Sequence, residues 1–479
     1  MYTKFFLFLF FLILISAISI GYILIWMFCA MGDMPFDRIL FHVLMPLKNA
    51  PTDWMSKIYI PILGIIVTSA ILWYSLRRYT KYRKTKWICF ISIFCLTLIF
   101  DVYFANNHFY ILDFVKSQIE SSNFITKHYV DPKSIKIKFP ANKRNLIILM
   151  VESLESSYQD EKDGGLFTKN HIPELTKIAK ENISFSHSEK IEGAMVPPEA
   201  GWTIAGTVAQ TAGIPLKLYG TTYTKNLERI VDNSMQQYKY FLPGVKTLGD
   251  ILYENGYRNY FILGTVAEYA GKKNYLTQHG AYTILDKEVI NRKSKDKKAN
   301  INDEELFKII KEKLPIIAKN KPFSVLIQTF DTHWGKKQKF EKVSKQVEEF
   351  YNWIKEQPYF NNTTLIIVGD HCNLQWTEFR NIETEDFRYA GNIQRKVYNA
   401  FINPVIIPQK EKYRKFSTLD MFPTILAAIG AKIDGNKLGL GTNLFSDEKT
   451  LLELYTPEYM FTELRKKSYL YNYKFMYKR

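Results

Sequence analysis

Cysteine is scarce in this chain, with four residues in 479, and three of them (Cys29, Cys89 and Cys95) lie in apolar stretches. Only Cys372 falls in the larger, polar part, so no disulfide can form inside it and its core must hold it together. Histidine is almost as short, with eight residues, of which only His333 and His371 follow His279. That supply argues against a centre of several histidine-rich metals and leaves material for one. Acidic residues are missing from 77–86, RRYTKYRKTK, where six residues are basic. The chain as a whole carries a formal charge of +17, which by itself would suggest nucleic acid. Its 47% hydrophobic and 15% aromatic content points elsewhere.

Long uncharged runs are plentiful near the start. Residues 5–31, 58–76 and 87–105 are each expected to cross a bilayer, which makes 1–105 a transmembrane region of three helices. The first run is too long for a signal peptide and lacks a small-residue cleavage site, so it reads as retained. The basic 77–86 connection is cytoplasmic by the positive-inside rule, while the first connection mixes both signs. Everything after the third helix then lies outside the membrane, away from DNA. The expected location is the bacterial cytoplasmic (inner) membrane, multi-pass, with the large domain facing the periplasm or cell exterior.

Residues 106–144 read as a juxtamembrane bridge. Phe109, Leu112, Phe114, Val115 and Ile119 can share one apolar face of an interfacial helix, and 133–140 alternates basic and apolar residues like an extended arm. From 145 to 479 the pattern is α/β. Apolar strands are expected at 145–151, 257–263, 322–330 and 363–369, with helices at 173–181, 204–212, 245–255, 303–319 and 343–356. Buried strands alternating with helices imply a mainly parallel sheet covered on both faces. The charge-rich stretch 287–300 reads as a surface insertion, and the tail 464–479 as an exposed edge hairpin.

In such sheets chemistry collects beyond the carboxyl ends of the strands. Strand 145–151 runs into Glu152, strand 322–330 into Asp331-Thr332-His333, and strand 363–369 into Asp370-His371. Strand 257–263 leads into a loop bearing Lys272 and Lys273. Between them, Gly201-Trp202-Thr203 opens a helix of small residues. Taken alone Thr203 is an ordinary N-cap, and each rim residue has an equally plain structural role. Their gathering on one rim is less easily explained that way. Glu, Asp, His and a hydroxyl suit one divalent metal ion, Mn²⁺ or Zn²⁺ in preference to Mg²⁺, that would activate the threonine oxygen and neutralise a phosphoryl group.

Several segments strengthen this reading: NLIILMVESLESSY (145–158), FSHSEKIEG (185–193), GWTIAGTVAQTAGIPL (201–216), AGKKNYLTQHG (270–280), TFDTH (329–333), GDH (369–371) and STLDMFPTILAAIG (417–430). With them the chain resembles the alkaline phosphatase/sulfatase superfamily, and within it the membrane-anchored phosphoglycerol transferases. That group includes the transferase of osmoregulated periplasmic glucans and, more distantly, lipoteichoic acid synthase. The resemblance implies a sulfatase-like domain with Glu152, Thr203, Asp370 and His371 as metal ligands and Thr203 as nucleophile. His333 would hold the phosphate or protonate the leaving oxygen, and Lys272, with Trp202, would bind substrate. The implied reaction moves phosphoglycerol from phosphatidylglycerol through a phospho-threonine to a glycan or glycerol-phosphate acceptor. The loop 193–201 looks longer than in the glucan-modifying relatives and is expected to bear on acceptor choice.

Two other readings stand beside it. A phosphoethanolamine transferase acting on lipid A or another glycan would share the four ligands, but usually brings a histidine downstream of the Asp-His pair, and none follows His371. A non-catalytic membrane scaffold would be expected to have lost a ligand, and none is missing.

Overall fold

The computed structural model describes residues 2–37, 39–40, 57–78, 83–217, 240–290, 300–373, 379 and 395–476. The chain divides into two compact units, one of Met1–Phe36 with Ala50–Val115, the other of Asp37–Asn49 with Lys116–Arg479.

The first unit holds α1 (Tyr2–Met31), α2 (Tyr59–Arg78) and α3 (Arg83–Phe109). Within α1 and α3, Phe8–Ala30 and Trp87–Phe109 are each 23 residues long and apolar enough to cross a membrane. The apolar stretch of α2, Tyr59–Ser75, is shorter, so two of the three expected spans meet that measure. Close packing joins these helices. Tyr22 bonds Thr68 across α1 and α2 at 2.9 Å, and a β-carbon on Gly64 would lie 2.6 Å from the Tyr22 ring. The lone acid of the α3 stretch, Asp101, is buried against Gly21.

Helix α4 (Ile111–Ile119) follows, with Leu112, Val115 and Ile119 exposed on one stripe. Of the expected arm 133–140, only β1 (Ile137–Lys138) is a strand, paired antiparallel with a short strand at Lys432–Ile433, and the arm begins in a turn.

At the centre of the second unit is a six-stranded sheet. Its strands are β2 (Asn145–Val151), β3 (Arg258–Leu263), β4 (Thr283–Leu285), β5 (Phe323–Gln328), β6 (Thr363–Gly369) and β7 (Asn399–Ile402), in the order β4-β3-β5-β2-β6-β7. All neighbours are parallel except β6 and β7. Because side chains alternate along a strand, β2 feeds two separate cores. Leu146, Ile148 and Met150 join α6 (Thr203–Ala212), α7 (Leu248–Glu254), α8 (Lys272–Gln278) and α11 (Met421–Ala428) on one face. Ile147, Leu149 and Val151 join α5 (Pro173–Glu181), α9 (Asp303–Ile317) and α10 (Lys337–Lys355) on the other. The α/β sheet covered on both faces is therefore as expected.

Two local readings change. Helix α10 begins at Lys337, six residues before the apolar periodicity suggested, because its first turn is polar apart from the buried Phe340. The tail is no hairpin: α12 (Pro457–Arg465) leads into a further helical turn at Tyr471–Phe475 whose Tyr471 and Phe475 are buried. Residues 193–201, expected to bear on acceptor choice, are all buried, tied by bridges from Ala194 to Val397 and from Met195 to Ser417. Of the presumed surface insertion, 291–299 lies outside the described residues, while Lys287–Ile290 is a short helix.

Candidate active site

The parallel register sets the rim. Val151 pairs with Gly369 and Met150 with Gln328, while Leu263 also pairs with Gln328, so β2, β3, β5 and β6 end level. The residues just past those ends are brought together as the sequence suggested.

Glu152, Asp370 and His371 are all buried, at 1%, 0% and 2% exposure, and one ligand atom from each lies within 4.8 Å of the others. His371 Nε2 is 3.2 Å from Glu152 Oε1 and 3.5 Å from Asp370 Oδ2. Its other nitrogen, Nδ1, is 2.8 Å from the Cys372 carbonyl and must donate to it, which turns Nε2 toward the carboxylates. Thr203 Oγ1 donates to Glu152 Oε2 at 3.2 Å and lies 3.4 Å from His371 Nε2. Unlike the other three, Thr203 is only partly buried.

Helix α6 aims that hydroxyl. Trp202, extended at φ −142° and ψ 160°, takes the N-cap position, and Thr203 is the first helical residue. Thr203 therefore does not cap the helix, and its hydroxyl is free to turn to the acids. Residue 206 is glycine because a β-carbon there would sit 2.3 Å from the Asp370 carbonyl oxygen. Gln210 Nε2 adds a 2.8 Å bond to the Gly369 carbonyl, one turn further on. Thr211 bonds Tyr275 of α8 at 2.7 Å, which ties the helix of Thr203 to the helix that begins with Lys272.

Several residues that sequence reasoning did not single out hold the acids. Ser153, at φ 56°, donates its hydroxyl to Glu152 Oε1 at 2.9 Å and its backbone N–H to Asp370 Oδ1 at 2.7 Å. Thr329 accepts from the Glu152 backbone N–H at 3.0 Å, and Thr332 donates to the Glu152 carbonyl. Asp303 accepts from the Phe330 and Asp331 backbone N–H groups, which fixes the turn bearing His333. Beneath the site, Arg395 makes a buried two-pronged pair with Glu155 and also donates to the Asn373 carbonyl at 2.7 Å. The second acid in VESLE was the available signal for Glu155; Ser153's left-handed backbone left none.

Burial favours protonation of Glu152, but the facing His371 overrides it and holds the carboxyl below its usual range. Asp370 is pushed up, first by burial and then by Glu152. His371 is also raised, because the two carboxylates outweigh its burial. The pocket thus keeps a proton among closely set acids, as a site built for a cation does. Asp370 Oδ2 is buried and has no hydrogen-bond partner among the described residues. Two carboxylates, an imidazole and a hydroxyl aimed at one point fit a divalent cation. A second acidic group, Glu268, Asp286 and Glu288, is partly exposed and engages Lys273.

Lys272 is buried at 7% exposure and starts α8 after two left-handed residues, Ala270 and Gly271. Burial draws its pKa down to about 8 against the opposing pull of Glu152, Asp370 and Asp286. His333, half-buried and stacked on Phe330 at 5.1 Å, is drawn down to about 4 by burial, with Glu152 opposing. Both groups thus feel the charge of Glu152. Trp202 instead packs into the core at 3% exposure.

No protein-family model matches the chain. Among curated proteins, it is similar to phosphoglycerol transferase I of Escherichia coli O6:K15:H31, 27% identical over 447 residues, covering 87% of this chain and 54% of that protein. The Salmonella choleraesuis protein of the same name is 28% identical over 366 residues, covering 71% of this chain and 43% of that one. The chain thus spans about half the length of the curated relatives it matches. Among solved structures, the lipoteichoic acid synthase LtaP of Listeria monocytogenes aligns with a TM-score of 0.49 at 14% identity, over 68% of this chain and 82% of that one. An alkaline phosphatase superfamily protein of Vibrio parahaemolyticus aligns with a TM-score of 0.48 at 18% identity, over 68% and 77%.

Proposed function

We propose that this chain is a cation-dependent, sulfatase-like transferase that moves phosphoglycerol from an anionic phospholipid, phosphatidylglycerol, to a hydroxyl of a glycan or glycerol-phosphate acceptor. The observation that carries the reading is the Thr203 hydroxyl, partly open at a helix N-terminus, 3.2 Å from Glu152 and 3.4 Å from His371. The similarity to phosphoglycerol transferase I supports the class of reaction.

Glu152, Asp370, His371 and Thr203 would hold one Mn²⁺ or Zn²⁺. Bound there, the ion supplies charge neutralisation and an acidified threonine hydroxyl. Thr203 Oγ1 gives its proton to solvent water and forms a bond to phosphorus as the bond from phosphorus to the diacylglycerol oxygen breaks. The N-terminus of α6 favours the anionic group arriving there. With its pKa drawn down to about 4, His333 is neutral at physiological pH and suits holding a phosphoryl oxygen through a ring N–H. Lys272, drawn down to about 8, remains an ammonium yet is acidic enough to protonate the departing alkoxide. The resulting amine then takes the proton of the acceptor hydroxyl as that oxygen displaces Thr203, whose oxygen takes a proton back from water.

Catalysis would take place outside the cytoplasmic membrane. The reading rests on the basic 77–86 connection, which the positive-inside rule assigns to the cytoplasm.

The test incubates the purified full chain with Mn²⁺ and either phosphatidylglycerol or phosphatidylethanolamine, and follows diacylglycerol and the intact mass. Diacylglycerol from phosphatidylglycerol and a phosphoglycerol adduct on Thr203 are expected. Release from phosphatidylethanolamine alone would move the assignment to phosphoethanolamine transfer. Full turnover by Thr203→Ala would end the mechanism.

A further inference from the structure

From Arg465 to Arg479 the chain has six basic residues, four tyrosines and no acid. The structure sorts the described part into two faces. Tyr471 and Phe475 turn into the core, at 0% and 2% exposure. Lys467, Tyr469, Tyr473 and Lys474 turn outward, and the two tyrosine rings lie 4.5 Å apart. Tyr469 is 70% exposed. A close, tilted tyrosine pair between lysines has an apolar body and a polar rim, the composition that settles at the headgroup level of a bilayer.

This face is built onto the segment that arrives from the apolar helices. The Lys467 backbone N–H donates to the Glu120 carbonyl at 3.0 Å, and Ser122 N–H donates to the Lys467 carbonyl at 2.8 Å. Immediately before them stands Ile119, 75% exposed. Ile119 follows the last residue of α3 by ten positions, so the segment continues directly from a helix apolar enough to cross a membrane.

The same segment is bound to the nucleophile's own loop. Lys217 Nζ donates to the carbonyls of Leu464 and Lys466 and lies 3.0 Å from Glu199 Oε2, with both charged groups buried. Glu199 precedes Thr203 by four residues and accepts, through its carbonyl, the Leu216 backbone N–H at 2.8 Å. Removing either member of a buried pair leaves the other charge stranded, so this link is stiff.

We propose that the face formed by Lys467, Tyr469, Tyr473 and Lys474 docks on an anionic lipid surface, and that the Lys217–Glu199 link sets the loop of Thr203 against that surface. Lysine complements phosphatidylglycerol headgroups, and tyrosine accounts for the exposed apolar area. The inference rests on the reading that the donor is a membrane lipid and specifies how the site meets it.

The test places a photo-crosslinking amino acid, p-benzoylphenylalanine, at position 469, 473 or 407 of the full chain. The three proteins are reconstituted in nanodiscs of phosphatidylcholine with or without phosphatidylglycerol. Ile407, 84% exposed in a loop at the opposite end of the sheet from the Thr203 site, is the control. Lipid adducts are expected at 469 and 473 but not 407, stronger with phosphatidylglycerol. They should fall at least about fivefold in Lys467→Gln/Lys474→Gln, given the contribution of a juxtamembrane lysine, while thermal unfolding stays unchanged. Equal adducts at 407, adducts indifferent to the two lysines, or crosslinks only to a second protein chain would overturn the proposal. Adducts at 469 without any release of diacylglycerol would leave the docking standing and remove the transferase reading instead.

Discussion

Gly206 lies against Asp370 so closely that a β-carbon would come within 2.3 Å of the Asp370 carbonyl oxygen and 2.9 Å of its carbonyl carbon. Neither atom can rotate away, since both belong to the backbone at the end of a central strand. Gly206→Ala must therefore lift α6 and carry Thr203 away from Glu152 and His371. Overpacking of this kind costs about 1–3 kcal/mol. Turnover is expected to fall by more than that loss of stability explains, because a small misplacement of a reacting group is costly. Thermal unfolding and diacylglycerol release, measured on the same sample, compare the two. Gly206→Ala with unchanged turnover would show that the close approach does not position Thr203.

A bound cation should stabilise the fold through the unpartnered Asp370 Oδ2. At a concentration one hundred times its dissociation constant, a ligand of the native state adds about 2.7 kcal/mol. Mn²⁺ or Zn²⁺ titrated into chelator-treated protein should raise the unfolding temperature, and Asp370→Asn should abolish the rise. Ser153→Ala, which keeps every proposed ligand, should weaken binding by about 10–100-fold through loss of its bond to Glu152. No stabilisation by any divalent ion would remove the cation from the site.

Glu155 and Arg395 form a buried pair whose single removal strands a charge. Arg395→Met or Glu155→Gln is expected to destabilise by about 3–5 kcal/mol, whereas replacing both with apolar residues should recover much of that. Urea unfolding of the two single variants and the double variant gives the coupling. Additive losses would mean the pair is not acting as a unit.

His187 supplies a pH test outside the site. Burial, and then Lys396, draw its pKa down to about 3. Between pH 6.5 and 3 the unfolded chain binds a proton that the folded chain refuses, so folding stability must fall as pH falls. The slope is at most about 1.4 kcal/mol per pH unit. The raised carboxyls of Asp303 and Asp420 tilt the curve the other way up to about pH 7. The difference between the natural protein and His187→Gln therefore isolates the histidine. Urea titrations at pH 7.5 and 5 should show the natural protein losing stability relative to the variant as pH falls, and parallel curves would contradict the assignment.

The sheet was legible because β2, β5 and β6 are continuous apolar runs that end on charged residues, and their parallel register then forces those residues onto one rim. Glu152, Asp370 and His371 could be read for that reason, and Thr203 because small residues and Gly213 bracket α6. Strand β7 was not legible, since Asn399–Ile402 is only four residues long with no alternation to mark it. Ser153 and Asp303 were hidden for another reason. Their work is done by a left-handed backbone and by bonds to the main chain across long sequence separations. The buried state of 193–201 was masked by its glycine and proline content, which usually marks an exposed loop. Here bridges to Val397 and Ser417 satisfy its backbone.

Of the four side chains that converge at the rim, Thr203 alone meets solvent, and Glu152, Asp370 and His371 form a closed floor behind it. A small phosphorus or boron electrophile approaching from outside would find one oxygen to react with. The site should therefore take up such a reagent with a stoichiometry of one per chain, and active-site titration would count competent molecules directly.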